Sequence, residues 1–214
     1  MSSQELLFML LSLPPLLLAL TFHEFCHGYI ALRMGDPTAK YAGRLTFNPI
    51  RHIDPLGLIA LVLFHFGWAK PVPVNPMNFT NYRRGMFWTT VAGPLSNLLM
   101  AVPFGLIIRA FPNNPSSRFL LPLWIMAQLG LSYNLILFAF NLIPIPPLDG
   151  SKALFSVLPD RYAPVEYWLT RFGFIILIGL ILLEHLTGIP IFWGWINPIR
   201  NFIGQILAGV RPLL

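Results

Sequence analysis

The stretch LLLALTFHEFCHGYIAL, Leu16 to Leu32, decides the fold. Its flanks are apolar, and with Leu6 to Pro15 they make a run long enough to cross a hydrocarbon core of about 30 Å at 1.5 Å per residue. Pro14 and Pro15 are placed to kink such a helix. Yet His23, Glu24 and His27 sit inside it. Ionisable groups at membrane depth are costly and mark function far more often than packing.

The rest of the chain agrees with a membrane protein. Of 214 residues, 56% are hydrophobic and only 10% charged, and the mean hydropathy is +0.67. A soluble domain carries about 25% charged residues. The net charge of +6 comes from 14 Lys and Arg. They are scattered singly between apolar runs, the pattern of loops facing an anionic leaflet, not of a nucleic-acid surface. The single cysteine, Cys26, excludes an internal disulfide. A cleavable signal peptide needs a basic start. The only charge before His23 is Glu5, so the first span is expected to be retained.

The expected class is an all-α polytopic membrane protein forming one domain over residues 1–214. After the first span, residues 41–76 are interrupted by Pro49, Pro55, Gly57, Gly67, Pro71, Pro73 and Pro76. Their longest apolar run, 56–66, is too short to cross as a helix. They are expected to form a re-entrant, partly extended hairpin, shielded by protein or a polar cavity. Spans resume at 86–111, at 120 to about 143, and at 167 to about 186, making about four in all. The tail is expected to be an amphipathic helix at the interface. Ile199, Phe202, Ile203, Ile206, Leu207 and Val210 form its apolar stripe, Arg200, Asn201 and Gln205 lie opposite, and Trp193 and Trp195 anchor it.

His23 and His27 are four residues apart, so they share one helical face. Two imidazoles there can grip one Zn²⁺, and the adjacent Glu24 can move a proton on a zinc-activated water. This is the H-E-x-x-H chemistry of metallopeptidases. The bland alternative is a polar trio bonding helix to helix. A catalytic zinc wants a third protein ligand and an open position. The candidates are His52, Asp54, His65, Asp149, Glu184 and His185. Asp149 stands out, because Pro144, Pro146 and Pro147 break the preceding span and set an acid beside exposed backbone at depth. His52 and Asp54 read as turn-capping residues, His65 as an interface residue beside Trp68, and Glu184 and His185 as headgroup-facing.

At these positions the sequence resembles the site-2 protease family of intramembrane zinc metalloproteases. HEFCH (His23 to His27) matches its metal helix and NLIPIPPLDG (Asn141 to Gly150) its second metal motif. GPLSN (Gly93 to Asn97) matches the motif on the intervening core helix. HIDPLG and GWAKPVPVNP resemble the short bacterial branch, without PDZ or CBS domains. The resemblance implies a zinc enzyme that cuts transmembrane protein substrates in the bilayer. It implies His23, His27 and Asp149 as ligands, Glu24 as catalytic base, and Asn141 and Asn97 as substrate or oxyanion contacts. Plain helix-to-helix bonding stays open for both asparagines.

Other classes fit less well. A membrane di-iron oxygenase needs HxxHH clusters, and five His without such a pair exclude it. A catalytically inactive scaffold or channel-like relative remains the alternative. Oligomeric state is left open.

Charge counting orients the chain. If 41–76 is re-entrant, ten basic residues share one side (Arg33, Lys40, Arg44, Arg51, Lys70, Arg83, Arg84, Lys152, Arg161, Arg171). Four lie opposite (Arg109, Arg118, Arg200, Arg211). The ten are then expected in the cytoplasm. His27 is six residues from Arg33, about 9 Å along a helix, so the site is expected in the cytoplasmic half of the cell membrane.

Overall fold

In the computed structural model, residues 3–57, 68–111, 115, 117 and 119–209 are described. The α-helices that lie wholly within them are α1 (Ser3–Arg33), α2 (Thr38–Tyr41), α3 (Tyr82–Ala110), α4 (Leu120–Asn141), α5 (Asp149–Val157), α6 (Ala163–Thr187) and α7 (Ile191–Ala208). Among the described residues four helical stretches are long and apolar enough to cross a membrane, namely α1, α3, α4 and α6 with the turn before it. The chain is an all-α polytopic membrane protein, as its apolar runs predict. The helix α1 runs unbroken through Pro14 and Pro15. The helix α3 starts four residues before the expected Met86, because the Asn81 carboxamide oxygen caps the Arg84 amide at 2.9 Å.

In lipid the hydrophobic effect does not drive helices together, so close packing of small residues must. Gly93, Asn97, Ala101 and Gly105, spaced by four along α3, are all buried. Helix α4 is the most enclosed, with Leu129, Leu131, Leu135 and Ala139 at 0% exposure. On α6, by contrast, Phe174 and Ile175 are exposed.

The tail helix lies alongside these spans. Trp195 Nε1 donates to the Ala139 carbonyl at 2.9 Å, and Leu207 packs with Ala127 at the other end of α4. Phe202 and Ile206 are exposed, whereas Arg200 is buried. The expectation that Arg200 faces water is therefore corrected: it faces the bundle. Arg200 shares the buried stripe Ile196, Arg200, Gly204 and Ala208, spaced by four along α7, whereas Gln205 is exposed. Glu184, expected at headgroups, accepts from the Phe192 and Trp193 amides at 2.9 and 3.3 Å and so caps the start of α7.

The segment between α1 and α3 returns to where it began. The Thr80 amide donates to Met34 O at 3.1 Å, tying the start of α3 to the end of α1. Within the loop, Ile53 and Ala69 form an antiparallel bridge, and the Lys70 amide donates to His52 O at 2.8 Å. The arms of the expected hairpin therefore meet at its base. The part expected to dip deepest, 58–67 with His65, lies outside the described residues. On the same side Arg83 pairs with Asp160 at 2.5 Å, just before α6. That pair is exposed and adds little stability, but it places the starts of α3 and α6 together.

Asp36 pins this loop. It is fully buried, and its carboxylate accepts from the Thr38 amide (3.1 Å) and hydroxyl, the Asn78 side chain (2.7 Å) and the Asn75 amide (2.7 Å). Burial pushes its pKa up, but these donors outweigh burial and hold it below the ordinary carboxylate value. The sign follows: its stabilisation is complete above the ordinary pKa of about 3.9 and is lost as pH falls through the lowered one. Asp36→Ala strands four donors and should cost about 2–4 kcal/mol. Thermal denaturation in detergent checks this. The gap between variant and parent should be full at pH 7 and shrink only in strong acid, and a gap independent of Asp36 ionisation would refute the account.

Candidate metal centre

Three elements converge on one point. Helix α1 supplies His23 and His27 one turn apart. Helix α5 supplies Asp149 from its first turn. The prolines after Asn141 end α4, and α5 starts afresh at Asp149. Gly150 lets it start there, since a Cβ would collide with the Leu142 and Ile143 carbonyls that close α4. Helix α3 provides the back wall.

The candidate ligating atoms form a nearly equilateral triangle. His23 Nε2 and His27 Nε2 are 3.0 Å apart. Asp149 Oδ2 is 3.1 Å from the first and 3.0 Å from the second. Among the described residues, His23, His27 and Asp149 are the group placed to hold an ion.

The hydrogen bonds behind the rings show what the triangle fits. His23 Nδ1 lies 2.6 Å from Asn97 Oδ1. The Asn97 amide nitrogen is already committed to Ala19 O at 3.1 Å and Asn134 Oδ1 at 3.0 Å, so its oxygen accepts and His23 Nδ1 donates. His27 Nδ1 lies 2.7 Å from Thr89 O; a carbonyl only accepts, so this nitrogen donates too. Both protons are thus on Nδ1, and both Nε2 lone pairs turn inward beside a carboxylate oxygen. Three acceptors at about 3 Å repel unless a cation lies between them. Tetrahedral zinc with arms of about 2.0–2.2 Å spaces its ligands by roughly 3.3–3.5 Å, close to this triangle. Gly93 keeps the space open, because a Cβ there would collide with His27 Nε2 and lie 2.7 Å from His23 Nε2. Two His and one Asp, with ring protons fixed from behind, are a fitting set for catalytic Zn²⁺.

Glu24 stands beside this triangle and is not part of it. Its Oε2 accepts from the Val72 amide at 2.9 Å, in the arm that follows the hairpin. Asn97 is fully buried, with both polar atoms committed behind His23. Asn141 is the last residue of α4. Its amide nitrogen donates to Leu137 O at 3.0 Å, and among the described residues no hydrogen bond joins it to the three ligating atoms. Asp54 caps the turn after it, accepting from the Leu56 and Gly57 amides at 2.9 and 3.0 Å. His52 donates Nε2 to Thr46 O at 2.9 Å. Sequence reading missed Thr89, Val72 and Asn134. The first two act through backbone atoms, which any residue type supplies. Asn134 did carry a signal, a carboxamide in the middle of a span.

A spanning helix with this His pair, a carboxylate converging on it from a second helix and a glutamate alongside make up a candidate site of metallopeptidase type in a membrane protein. Comparison with known proteins agrees. Residues 113–180 match the family model described as Peptidase family M50. The chain is 36% identical over 203 residues to "Putative zinc metalloprotease YwhC" of Bacillus subtilis, covering 93% of this chain and 92% of that one. It is 32% identical over 182 residues to "Putative zinc metalloprotease Rip2" of Mycolicibacterium smegmatis, covering 80% of this chain and 66% of that one. It is 32% identical over 138 residues to "Putative zinc metalloprotease MJ0611" of Methanocaldococcus jannaschii, covering 62% and 63%. No solved structure matches. The chain belongs to peptidase family M50, and the resemblance to site-2 proteases read from its motifs holds.

Proposed function

We propose that the protein is an intramembrane zinc metalloprotease, a single domain of residues 1–214 that hydrolyses peptide bonds within or near the transmembrane segments of membrane-protein substrates. The observation that carries this reading is the convergence of His23 Nε2, His27 Nε2 and Asp149 Oδ2 within about 3 Å of one another, with both histidines on a helix of spanning length.

His23, His27 and Asp149 would hold the zinc ion, which would supply an acidified water and a Lewis acid for the scissile carbonyl. Glu24 takes a proton from the attacking water and returns it to the leaving amine nitrogen as the C–N bond breaks. The Val72 amide steers Glu24 by holding one carboxylate oxygen, which leaves the other for proton transfer. Asn97 positions His23 through its ring proton instead of touching substrate. Asn141 is the polar group left to meet the substrate or its oxyanion. The site sits in the cytoplasmic half of the cell membrane, because the ten-residue basic side is the one that holds the ends of α1 and the starts of α3 and α6.

A substrate helix hides its carbonyls in its own hydrogen bonds, so it must unwind first. The extended arm beside Glu24 offers backbone for the unwound strand to pair with. Relative to Ala, Gly weakens a helix by about 1 kcal/mol and Pro by about 3. A Leu/Ala transmembrane reporter should therefore be cut roughly five-fold faster with one Gly near the cut and on the order of a hundred-fold faster with one Pro. The assay uses purified protein in liposomes, with a zinc chelator as control. The fragment should leave on the side carrying Lys152 and Arg161. Equal cutting of the unbroken span would argue against unwinding, and chelator-insensitive cutting against the metal.

A further inference from the structure

Behind the metal centre a line of hydrogen bonds runs from His23 across α3 into α4. His23 Nδ1 donates to Asn97 Oδ1 at 2.6 Å. Asn97 Nδ2 donates to Asn134 Oδ1 at 3.0 Å. Asn134 Nδ2 donates to Gly130 O at 2.8 Å, one turn back on α4. A side branch runs from Asn97 Nδ2 to Ala19 O at 3.1 Å, one turn before His23 on α1. Three helices of spanning length are thus joined at one level. The line and its branch both end on backbone carbonyls, which only accept, and the polarity of every link follows. Asn134 turns its nitrogen to Gly130 O, so its oxygen faces Asn97. Asn97 turns its nitrogen to Asn134 and Ala19, so its oxygen takes the ring proton of His23. A reversed Asn97 would set its oxygen against two acceptors.

Asn97 and Asn134 are both fully buried, as are Leu131 and Leu135 on the same helix as Asn134, so bulk water cannot replace a lost link. Phe104 of α3 packs on Gly130, where a Cβ would lie 2.6 Å from the ring, and this holds the far end of the line. In such surroundings hydrogen bonds polarise one another along a chain. A partner on the outer nitrogen of a metal-binding imidazole fixes the ring and makes the inner nitrogen more basic. A carboxylate often fills that place; here amides do. With zinc bound, the carboxylates of Asp149 and Glu24 would balance its two charges. A third carboxylate would leave a net charge at membrane depth, where charge is costly. Two neutral amides orient the ring without adding one.

We infer that Asn134 is a positioning residue for the metal centre: through Asn97 it fixes the His23 proton on Nδ1 and keeps the Nε2 lone pair directed at the ion. The inference rests on the proteolytic reading above and extends it to α4, a helix that supplies none of the three converging side chains. Plain helix-to-helix bonding between Asn97 and Asn134 would serve packing alone. The two roles differ in one respect. A packing bond holds α4 on α3 whatever happens at His23. A positioning bond reaches the metal only while Asn97 is there to transmit it.

The test is a double-mutant cycle on zinc affinity. Purified Asn134→Leu, Asn97→Ala and the double variant are titrated with zinc against a competing chelator. Asn134→Leu should weaken zinc binding roughly two- to ten-fold, the effect of losing one hydrogen bond. That is less than the loss in Asn97→Ala, and there should be no further loss once Asn97 is already replaced. Gln128→Leu is the control, since Gln128 is also buried on α4 and lies outside the line; its affinity should match the parent. Parental affinity in Asn134→Leu, an equal loss in both backgrounds, or the same loss in Gln128→Leu overturns the inference. A second measurement needs no variant. Zinc added to metal-stripped parent should shift the side-chain amide ¹⁵N resonance of Asn134 and leave that of Gln128 in place. An unmoved Asn134 resonance overturns the inference even where Asn134→Leu does not fold. Zinc-loaded parent that cuts no reporter removes the proteolytic reading and leaves the role of Asn134 standing, whereas a parent that binds no zinc removes both.

Discussion

His23→Ala should strip the protein of most of its zinc while the four spans stay folded. The expectation comes from the geometry of a three-ligand site. Removing His23 Nε2 leaves His27 and Asp149, two donors where a catalytic zinc ion wants three. It also orphans the Asn97 carboxamide oxygen that accepts the ring proton. Loss of an outer partner alone typically lowers metal affinity about 10–100-fold, so Asn97→Ala should show that smaller loss and His23→Ala a larger one. Gly93→Ala should reproduce it without replacing any of the three residues, because its Cβ would enter the space before both Nε2 atoms. Metal content by mass spectrometry on purified protein, with chelator competition for the weaker variants, reads the series. Full zinc retention in His23→Ala would show that the three atoms do not share one ion.

The three side chains that converge were legible in sequence because each carries a residue-type signal. The i, i+4 spacing of His23 and His27 fixes a shared face on any helix. Asp149 could be chosen from six candidates because three prolines stop α4 just before it, and the structure starts a new helix there. The long apolar runs predicted the four spans to within a few residues, and the broken run 41–76 announced a segment whose arms come back together. What stayed hidden depends on atoms that every residue owns or on which way a face turns. Thr89 contributes only its carbonyl and Val72 only its amide. The tail helix turned Arg200 inward because, with lipid outside, an amphipathic pattern does not say which side meets protein. Asn97 was visible as a polar residue at depth, but its partner His23 was not, since that needs the register of α3 against α1.

Glu24→Gln should keep zinc and fold yet lose cleavage by roughly 10²–10⁴-fold, the usual worth of a positioned acid–base group. The substitution is nearly isosteric, and the atoms that converge on the metal position are His23, His27 and Asp149, so metal content should not change. The Val72 amide can still donate to the remaining carboxamide oxygen, so the arm beside α1 should stay in place. What disappears is a basic oxygen. A carboxamide cannot take the proton of the attacking water, nor carry it to the leaving nitrogen. Glu24→Ala should in addition free the Val72 amide, and the difference between the two variants reports how much the arm contributes to substrate binding: Gln should act on kcat, and Ala on kcat and KM together. Parallel measurement of zinc per chain and reporter cleavage separates base from ligand. If Glu24→Gln loses metal and activity in step, Glu24 is a ligand and the division of roles fails. If it loses neither, the proton is carried by another group.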